Sequence, residues 1–288
     1  MIQGDLHIHT MASDGWIPSR EIAEQAAAVD LDFISITDHN TVSGIEPAEE
    51  VLDGSDVLLI PGVELSAQPE ADGELHILGY GFDPTAQALL DVCRSITRRK
   101  NEQMWRIVRR LRQEGIGINV SGLPAEEDED YVGRPMLAAM LVEDGVVHST
   151  RQAFTKFLGS EGGAYVPMRE FDPRRCIEAI HAAGGLAVLA HPRLHTVDRW
   201  IQPLARMGLD GVETYRPRLA GNEQLYIEKA AEHFDLVVTG GSDLHGRGNE
   251  APLGSFRVSG RQVGTFFDAL AARTPSGAPA GWRGADPG

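Results

Sequence analysis

The chain is short of cysteine, of positive charge and of long apolar runs, and each shortage removes a class of protein. Cys93 and Cys176 are its two cysteines. They lie far apart in helix-like contexts, so there is no disulfide framework and no CxxC zinc pair. The expectation is two buried or half-buried free thiols in a reducing compartment. Lys and Arg number 26 against 42 Asp and Glu, a formal charge of −16. Long nucleic acid is therefore not an expected partner, because a broad grip on it needs a basic face. Part of the acidic excess is local, and Glu126-Glu127-Asp128-Glu129-Asp130 reads as a solvated loop. No apolar run approaches the ~20 residues that span a bilayer. Met1 leads straight into a strand-like run, without the basic and apolar regions of a signal peptide. A cytoplasmic protein without membrane contact is expected. A GxSxG nucleophile motif and internal repeats are missing as well.

What is present suffices for a large core, with 288 residues of which 42% are hydrophobic. Seven strand candidates fall at 2–9, 32–37, 57–61, 74–80, 186–190, 210–215 and 235–239, most of them separated by helical patterns. That alternation implies an α/β fold of parallel strands with helices outside. One helix is marked at its start by Asp172 as N-cap and Pro173 at the first helical position. Residues 100–170 have few strand signals and interrupt the alternation, so they read as a mostly helical insertion capping the substrate. The flanking stretches, 1–99 and 171–273, then form one domain. The tail 274–288, rich in Gly, Pro and Ala, is expected to be disordered.

Candidate chemistry gathers at the ends of these strands. Asp5-Leu6-His7-Ile8-His9 puts two imidazoles on one strand face, about 7 Å apart. Similar pieces recur after apolar runs: Asp38-His39, Gly62-Val63-Glu64, His76 within LHILGYG, His191-Pro192, and Asp243-Leu244-His245. Of ten histidines, these motifs hold six, with His195 close by; His148, His181 and His233 sit in ordinary helical or loop contexts. Any one such histidine is more often a hydrogen-bonded structural residue, and His76 alone would pass for a satisfied core side chain. Nine such residues, counting Asp14, Glu64 and Asp243, make that reading poor for the set. Imidazole and carboxylate together suit Zn, Mn or Fe. Nine donors are too many for one ion, so two or three are implied, with Glu64 or Asp243 as bridges. Donors drawn from strands along the whole chain favour a closed barrel, with the site at the strands' C-terminal ends.

Taken as a set, DLHIHT, TDHN, PGVE, HILGYG, AHP and GSDLHG resemble the motifs of the PHP superfamily, the polymerase and histidinol phosphatase metal phosphoesterases. The resemblance spans about 1–99 and 171–260 and is nearest to the stand-alone members that act on nucleotides and small phosphate esters and carry a helical insert. It implies a distorted (β/α)7 barrel with a di- or trinuclear centre. By its pattern His7, His9, Glu64 and Asp243 hold the first ion, Glu64, His76 and His191 the second, and Asp14, His39 and His245 the third. A carboxylate at position 14, where some relatives have His, favours Mn or Fe over tight zinc. The implied reaction is in-line attack on phosphorus by a metal-bridging hydroxide, with His7, His9, Glu64, His191 and Asp243 as the catalytic set.

Substrate phosphates call for further cations. Arg134 and Lys156 match an Arg and a Lys that reach over the site from the insert in similar proteins, and Arg193 lies beside AHP. Asp38 and His195 are candidates for protonating the leaving oxygen. Arg98, Arg99, Lys100, Arg106, Arg109 and Arg110 read as a helix face answering local acids, with an oligonucleotide path as the other reading. The expected activity is hydrolysis of a small phosphorylated metabolite, a nucleotide 3′,5′-bisphosphate foremost. The competing readings are a cyclic-phosphate phosphodiesterase, a 5′→3′ exonuclease on short RNA and a histidinol phosphate phosphatase. Outside phosphoester chemistry stand a non-catalytic metal-binding module and an amidohydrolase. The last usually has a metal-bridging lysine, which none of these motifs supplies.

Overall fold

The computed structural model describes residues 2–69, 73–128, 130–248 and 250–273. The tail expected to be disordered lies outside them. Strands β1 (Gln3–Ile8), β2 (Phe33–Ile36), β3 (Leu58–Leu59), β4 (Gly62–Ala67) and β5 (Leu75–Tyr80) open the chain, with helices α1 (Ser19–Ala28) and α2 (Ile45–Leu52) between the first three. A 27-residue helix, α3 (Gln87–Gln113), leads to α4 (Arg134–Glu143), α5 (Thr150–Ala153) and a π-helical turn over Phe154–Leu158. The alternation then resumes through α6 (Pro173–Ala182), β6 (Leu186–Leu189), α7 (Leu194–Arg206), β7 (Gly211–Tyr215), α8 (Gly221–His233) and β8 (Val237–Gly240). It ends with β9 (Val258–Ser259) and α9 (Gly264–Arg273). The Asp172 carboxylate caps α6, accepting from the Arg174 N–H at 2.9 Å. Among the described residues no helix is long and apolar enough to cross a membrane.

The expected closed seven-stranded barrel does not form. The strands make two open sheets, β3-β2-β1-β9 and β4-β5-β6-β7-β8, and no sheet closes on itself among the described residues. Two local causes account for the difference. Pro61 splits what the sequence suggests is a single strand end, so β4 becomes a separate strand and carries Glu64 in its middle. Only seven residues, 68–74, join β4 to β5, and so short a link can only return the chain antiparallel. β5 accordingly runs antiparallel to both β4 and β6, whereas β6, β7 and β8 are mutually parallel.

The two sheets share an apolar core. Leu6 and Phe33 of the first meet Tyr80, Leu186 and Val188 of the second, with Phe266 and Phe267 of α9 beneath. The Tyr80 hydroxyl donates to the Leu6 carbonyl at 2.8 Å, satisfying both buried groups across the gap. Helices α1 and α2 cover the outside of the first sheet, and α3, α6, α7 and α8 that of the second. At one end the sheets also touch through single bridges, His39 to Glu64 and Ile8 to Leu244. Gly241 permits the second contact, since a Cβ there would stand 2.4 Å from the His7 backbone nitrogen.

Helix α3 passes between two apolar clusters. Its Leu89, Val92, Cys93 and Ile96 belong to the core outside the second sheet. Met104, Ile107, Val108 and Leu111 belong to a separate cluster with residues of α4 and of the π-helical turn. Between these two sets the buried face turns polar, at Thr97, Lys100, Asn101 and Gln103. Lys100 therefore does not join the solvated basic face expected from sequence: its ammonium turns inward to the Glu74 carboxylate. Arg109 does answer a local acid, Glu126, at 2.7 Å.

Candidate metal centre

The end where the sheets touch collects the histidines and acids. His7, His9, Asp14, His39 and Glu64 are buried, and His76, His191, Asp243 and His245 are half-buried. All nine fall into one connected cluster. In the middle of it Glu64 has Oε1 at 2.8 Å from His191 Nε2 and 2.9 Å from His76 Nδ1. Its Oε2 lies 3.2 Å from both His9 Nε2 and His39 Nδ1, and 3.4 Å from His7 Nε2. Asp243 Oδ1 stands 3.2 Å from His9 Nε2 and 3.4 Å from His7 Nε2. Asp14 Oδ1 is 3.3 Å from His245 Nε2, 3.8 Å from His9 Nδ1 and 3.9 Å from His39 Nε2. Asn40, His191 and Asp243 adopt positive φ angles of 54°, 27° and 56°. Non-glycine residues seldom do so, and such strain gathers at functional sites.

Donor atoms within 4.8 Å of one another form four overlapping groups: His9, Asp14, His39 and His245; His7, His9 and Asp243; His7, Glu64 and His191; His39, Glu64 and His76. These residues suit divalent cations on two counts. The His9 Nδ1, Asp14 Oδ1 and His39 Nδ1 atoms are buried without a hydrogen-bond partner among the described residues, a state that is costly unless something else pairs with them. His7 Nδ1 is 2.9 Å from Glu213 Oε1, which directs its Nε2 at the His9 Nε2 only 3.1 Å away. Two ring nitrogens and two carboxylate oxygens thus converge on one point.

The protein's own charges show the same demand for a cation. Burial opposes protonation of His9, yet Asp243, Glu64 and Asp14 push its pKa up to about 10. Burial likewise opposes His76, and Glu64 and Glu74 still raise it to about 9. Burial wins at His39, aided by the charges of His9 and His76, and takes it down to about 3 against Glu64 and Asp14. On the acid side burial disfavours the Asp14 and Asp243 carboxylates, and the surrounding imidazoles hold both far below the usual range.

Several surrounding groups escaped the sequence reading. Glu213, buried in β7, holds His7 through Oε1 and accepts the His191 backbone N–H through Oε2 at 2.6 Å. A glutamate inside a buried strand is the signal, since such a charge needs partners. Glu74 Oε1 lies 3.1 Å from His76 Nε2, and the same carboxylate meets Lys100 and Arg134. Asp5, whose pKa burial lifts to about 6, accepts from the His7 and Ser242 N–H groups and ties β1 to the segment after β8. Tyr131 brings its ring to 5.5 Å from that of His39.

The expected substrate and proton-transfer residues divide. Arg134 is half-buried, with Nη2 3.2 Å from Glu74 Oε2 and its guanidinium 5.5 Å from the Tyr165 ring centroid. Arg193, exposed at the start of α7, lines a cleft together with His76, His191 and His195. Lys156 is exposed on the π-helical turn, and no described contact joins its ammonium to the cluster. Asp38 is not placed to donate a proton: its oxygens accept from the Thr10 N–H and hydroxyl at 2.7 Å and from the Ser13 hydroxyl at 2.6 Å. It clamps the loop that carries Asp14.

Comparison with known proteins agrees with this geometry. The PHP domain family matches residues 5–123. A 5′-3′ exoribonuclease of Haemophilus influenzae is 33% identical over 84% of this chain and 89% of its own. A phosphoribosyl 1,2-cyclic phosphate 1,2-diphosphodiesterase of Eggerthella lenta is 31% identical over 88% and 98%. A 3′,5′-nucleoside bisphosphate phosphatase of Chromobacterium violaceum is 27% identical over 92% and 91%. A solved metal-dependent phosphoesterase of Bifidobacterium adolescentis superposes with a TM-score of 0.79 at 29% identity, over 93% of this chain and 95% of that one. With its donors converging on one cation-seeking cluster, this chain belongs to the PHP family and is a metal-dependent phosphoester hydrolase.

Proposed function

We propose that the chain hydrolyses a small phosphorylated nucleotide, a nucleoside 3′,5′-bisphosphate, and releases phosphate. One observation carries this reading: a single carboxylate, Glu74, contacts both His76 of the cluster and Arg134 of the segment 100–170. A guanidinium suited to bidentate phosphate binding thus stands one side chain from the candidate metal donors. In this reading the segment 100–170 is a cap over the centre, and Arg134 and Arg193 bind the substrate. Lys156 joins them only if the cap moves. The −16 charge of the chain suits a short substrate drawn in by local cations better than a long polyanion.

The nine donors would hold two or three divalent ions, Mn, Fe or Zn, with Glu64 shared between them because its two oxygens face different histidines. When bound, such ions supply Lewis acidity toward phosphoryl oxygens and acidify water. Around them the protein sets the geometry. Glu213 fixes the ring of His7 and the backbone at His191, and Glu74 fixes His76. Arg134 neutralises phosphoryl charge as the bond to the leaving oxygen breaks. In this reading His195, exposed in the cleft beside His191, protonates that oxygen.

A second reading, 5′→3′ hydrolysis of short RNA, has its own support. A cavity of about 1110 Å³ beside α3 is lined by Arg94, Arg98, Arg99, Arg106, Arg169 and Tyr165, with Asp91, Glu102 and Glu170 among them. Phosphate release from nucleoside 3′,5′-bisphosphates, cyclic phosphates, histidinol phosphate and 5′-phosphorylated RNA, measured with each metal, separates the readings. Arg134→Ala should raise KM for the true substrate about tenfold or more with metal content unchanged. Unchanged kinetics would remove Arg134 from the site.

A further inference from the structure

One side chain of the segment 100–170 reaches the metal donors and has no part in the reaction as described. Tyr131 lies three residues before Arg134, just ahead of α4, and is 9% exposed. Its ring is 5.5 Å from that of His39 and tilted 32° to it. His39 belongs to two of the four donor groups, one with His9, Asp14 and His245 and one with Glu64 and His76. The phenol therefore rests on the residue that those two groups share.

The protein fixes this ring from both sides. Asn101, buried in the polar band of α3, donates through Nδ2 to the Asp128 carbonyl at 3.0 Å and to the Asp130 carbonyl at 3.1 Å. Trp105, one turn further along α3, donates through Nε1 to the Pro124 carbonyl at 2.9 Å. The acidic loop is thus fastened to α3 up to the residue before Tyr131. The next residue, Val132, is fully buried in the apolar cluster at that end of α3. Gly133 leaves the room in which the hydroxyl sits, since a Cβ there would stand 2.6 Å from the phenolic oxygen. A group held this firmly loses little freedom when it binds something.

The hydroxyl itself has no hydrogen-bond partner among the described residues, although a buried tyrosine ordinarily finds one. Burial raises its pKa, and the charges of Asp14, Glu74 and Glu64 act in the same direction, with Arg134 against them. The phenolic oxygen thus stands within reach of the donors on one side and the arginine on the other. Packing against His39 would need the ring alone, and a phenylalanine would serve as well. The oxygen calls for an acceptor that arrives from outside. A phosphoryl group placed at the donors and neutralised by Arg134 brings three charged oxygens to that point.

We infer that Tyr131 is a further catalytic residue, whose hydroxyl donates a hydrogen bond to a non-bridging oxygen of the phosphoryl group under attack. The inference rests on the reading of the segment 100–170 as a cap over the centre and deepens it: the cap supplies a neutral donor as well as a guanidinium. Such a donor, already in place, stabilises charge on the phosphoryl oxygens without reorganising.

Tyr131→Phe removes the oxygen and keeps the ring on His39. The probes are adenosine 3′,5′-bisphosphate for turnover and inorganic phosphate for binding, both on manganese-loaded protein. The variant should lower kcat/KM about 10- to 100-fold and weaken calorimetric phosphate binding about fivefold or more. Its metal content and thermal unfolding midpoint should match those of the wild type. Wild-type phosphate affinity in the variant would overturn the inference whatever the turnover, leaving the ring a packing role. Loss of metal from the variant would overturn it too, because the hydroxyl would then act on the donors and not on the substrate. Phosphate affinity requires no turnover, so failure of the wild type to hydrolyse the bisphosphate would count against the proposed substrate alone.

Discussion

Glu213 Oε1 lies 2.9 Å from His7 Nδ1, while its Oε2 takes the His191 backbone N–H at 2.6 Å. One buried carboxylate thereby sets the direction of a ring on β1 and the position of a residue after β6. Glu213→Gln keeps the shape and loses the charge. It should weaken divalent-ion binding about 10- to 100-fold, as other loss of outer-sphere support does. Metal titration of the purified variant checks this, and wild-type affinity would show that Glu213 does not orient the donors.

Glu74 and Lys100 form a pair almost out of water, the lysine 4% exposed. Removing the acid alone strands a buried ammonium, so Glu74→Ala should cost about 3 kcal/mol or more. Adding Lys100→Met should recover most of that loss. Denaturant unfolding of the two variants measures the difference. The double variant should still bind phosphorylated substrate weakly, since Arg134 has lost its anchor.

Metal uptake should expel protons. In the ion-free protein burial works against the charged rings, and the acids nonetheless keep His9 protonated to about pH 10 and His76 to about pH 9. Both protons are held at pH 7 and must leave for the nitrogens to bind metal. Affinity should therefore climb with pH through 7 and 8 and flatten above about 10. Calorimetry in buffers of differing ionisation enthalpy counts the protons, and a pH-independent affinity would contradict the arrangement.

The two cysteines should be inert in the native protein. Burial pushes the Cys93 thiol up to about 12 and Cys176 higher still. Thiolate is the reactive form, so a thiol reagent at pH 8 should modify neither until denaturant is added. Fast labelling of the folded chain would mean that α3 and α6 part readily.

The gathering of the nine His, Asp and Glu side chains was legible in the sequence, because these residue types follow apolar runs at the ends of strands. Glu64 stood out by its motif, although it lies inside β4. The supporting acids were not legible. Glu213 acts on a residue 206 positions away, a pairing no local pattern reveals. Glu74 sits only two residues before His76, but its other partners, Lys100 and Arg134, are on α3 and α4. Alternating strands and helices identified an α/β fold. They did not reveal that β5 reverses direction, which follows from the shortness of the link 68–74 and from strand pairing rather than from the alternation. The inward turn of Lys100 was hidden by its basic neighbours on α3.

Helix α3 has a consequence for how this protein can be taken apart. It runs unbroken from Gln87 to Gln113, about 40 Å of rod, and its two ends are held in different cores. A cut at residue 99 or 100 would not free a self-contained piece. Each fragment would keep half a helix whose apolar stripe has lost its continuation, and the polar band at Thr97, Lys100, Asn101 and Gln103 would open to solvent beside the histidines. Grafting the segment 100–170 onto a relative, or deleting it, therefore means moving the join to the start of α3 and carrying the whole helix along.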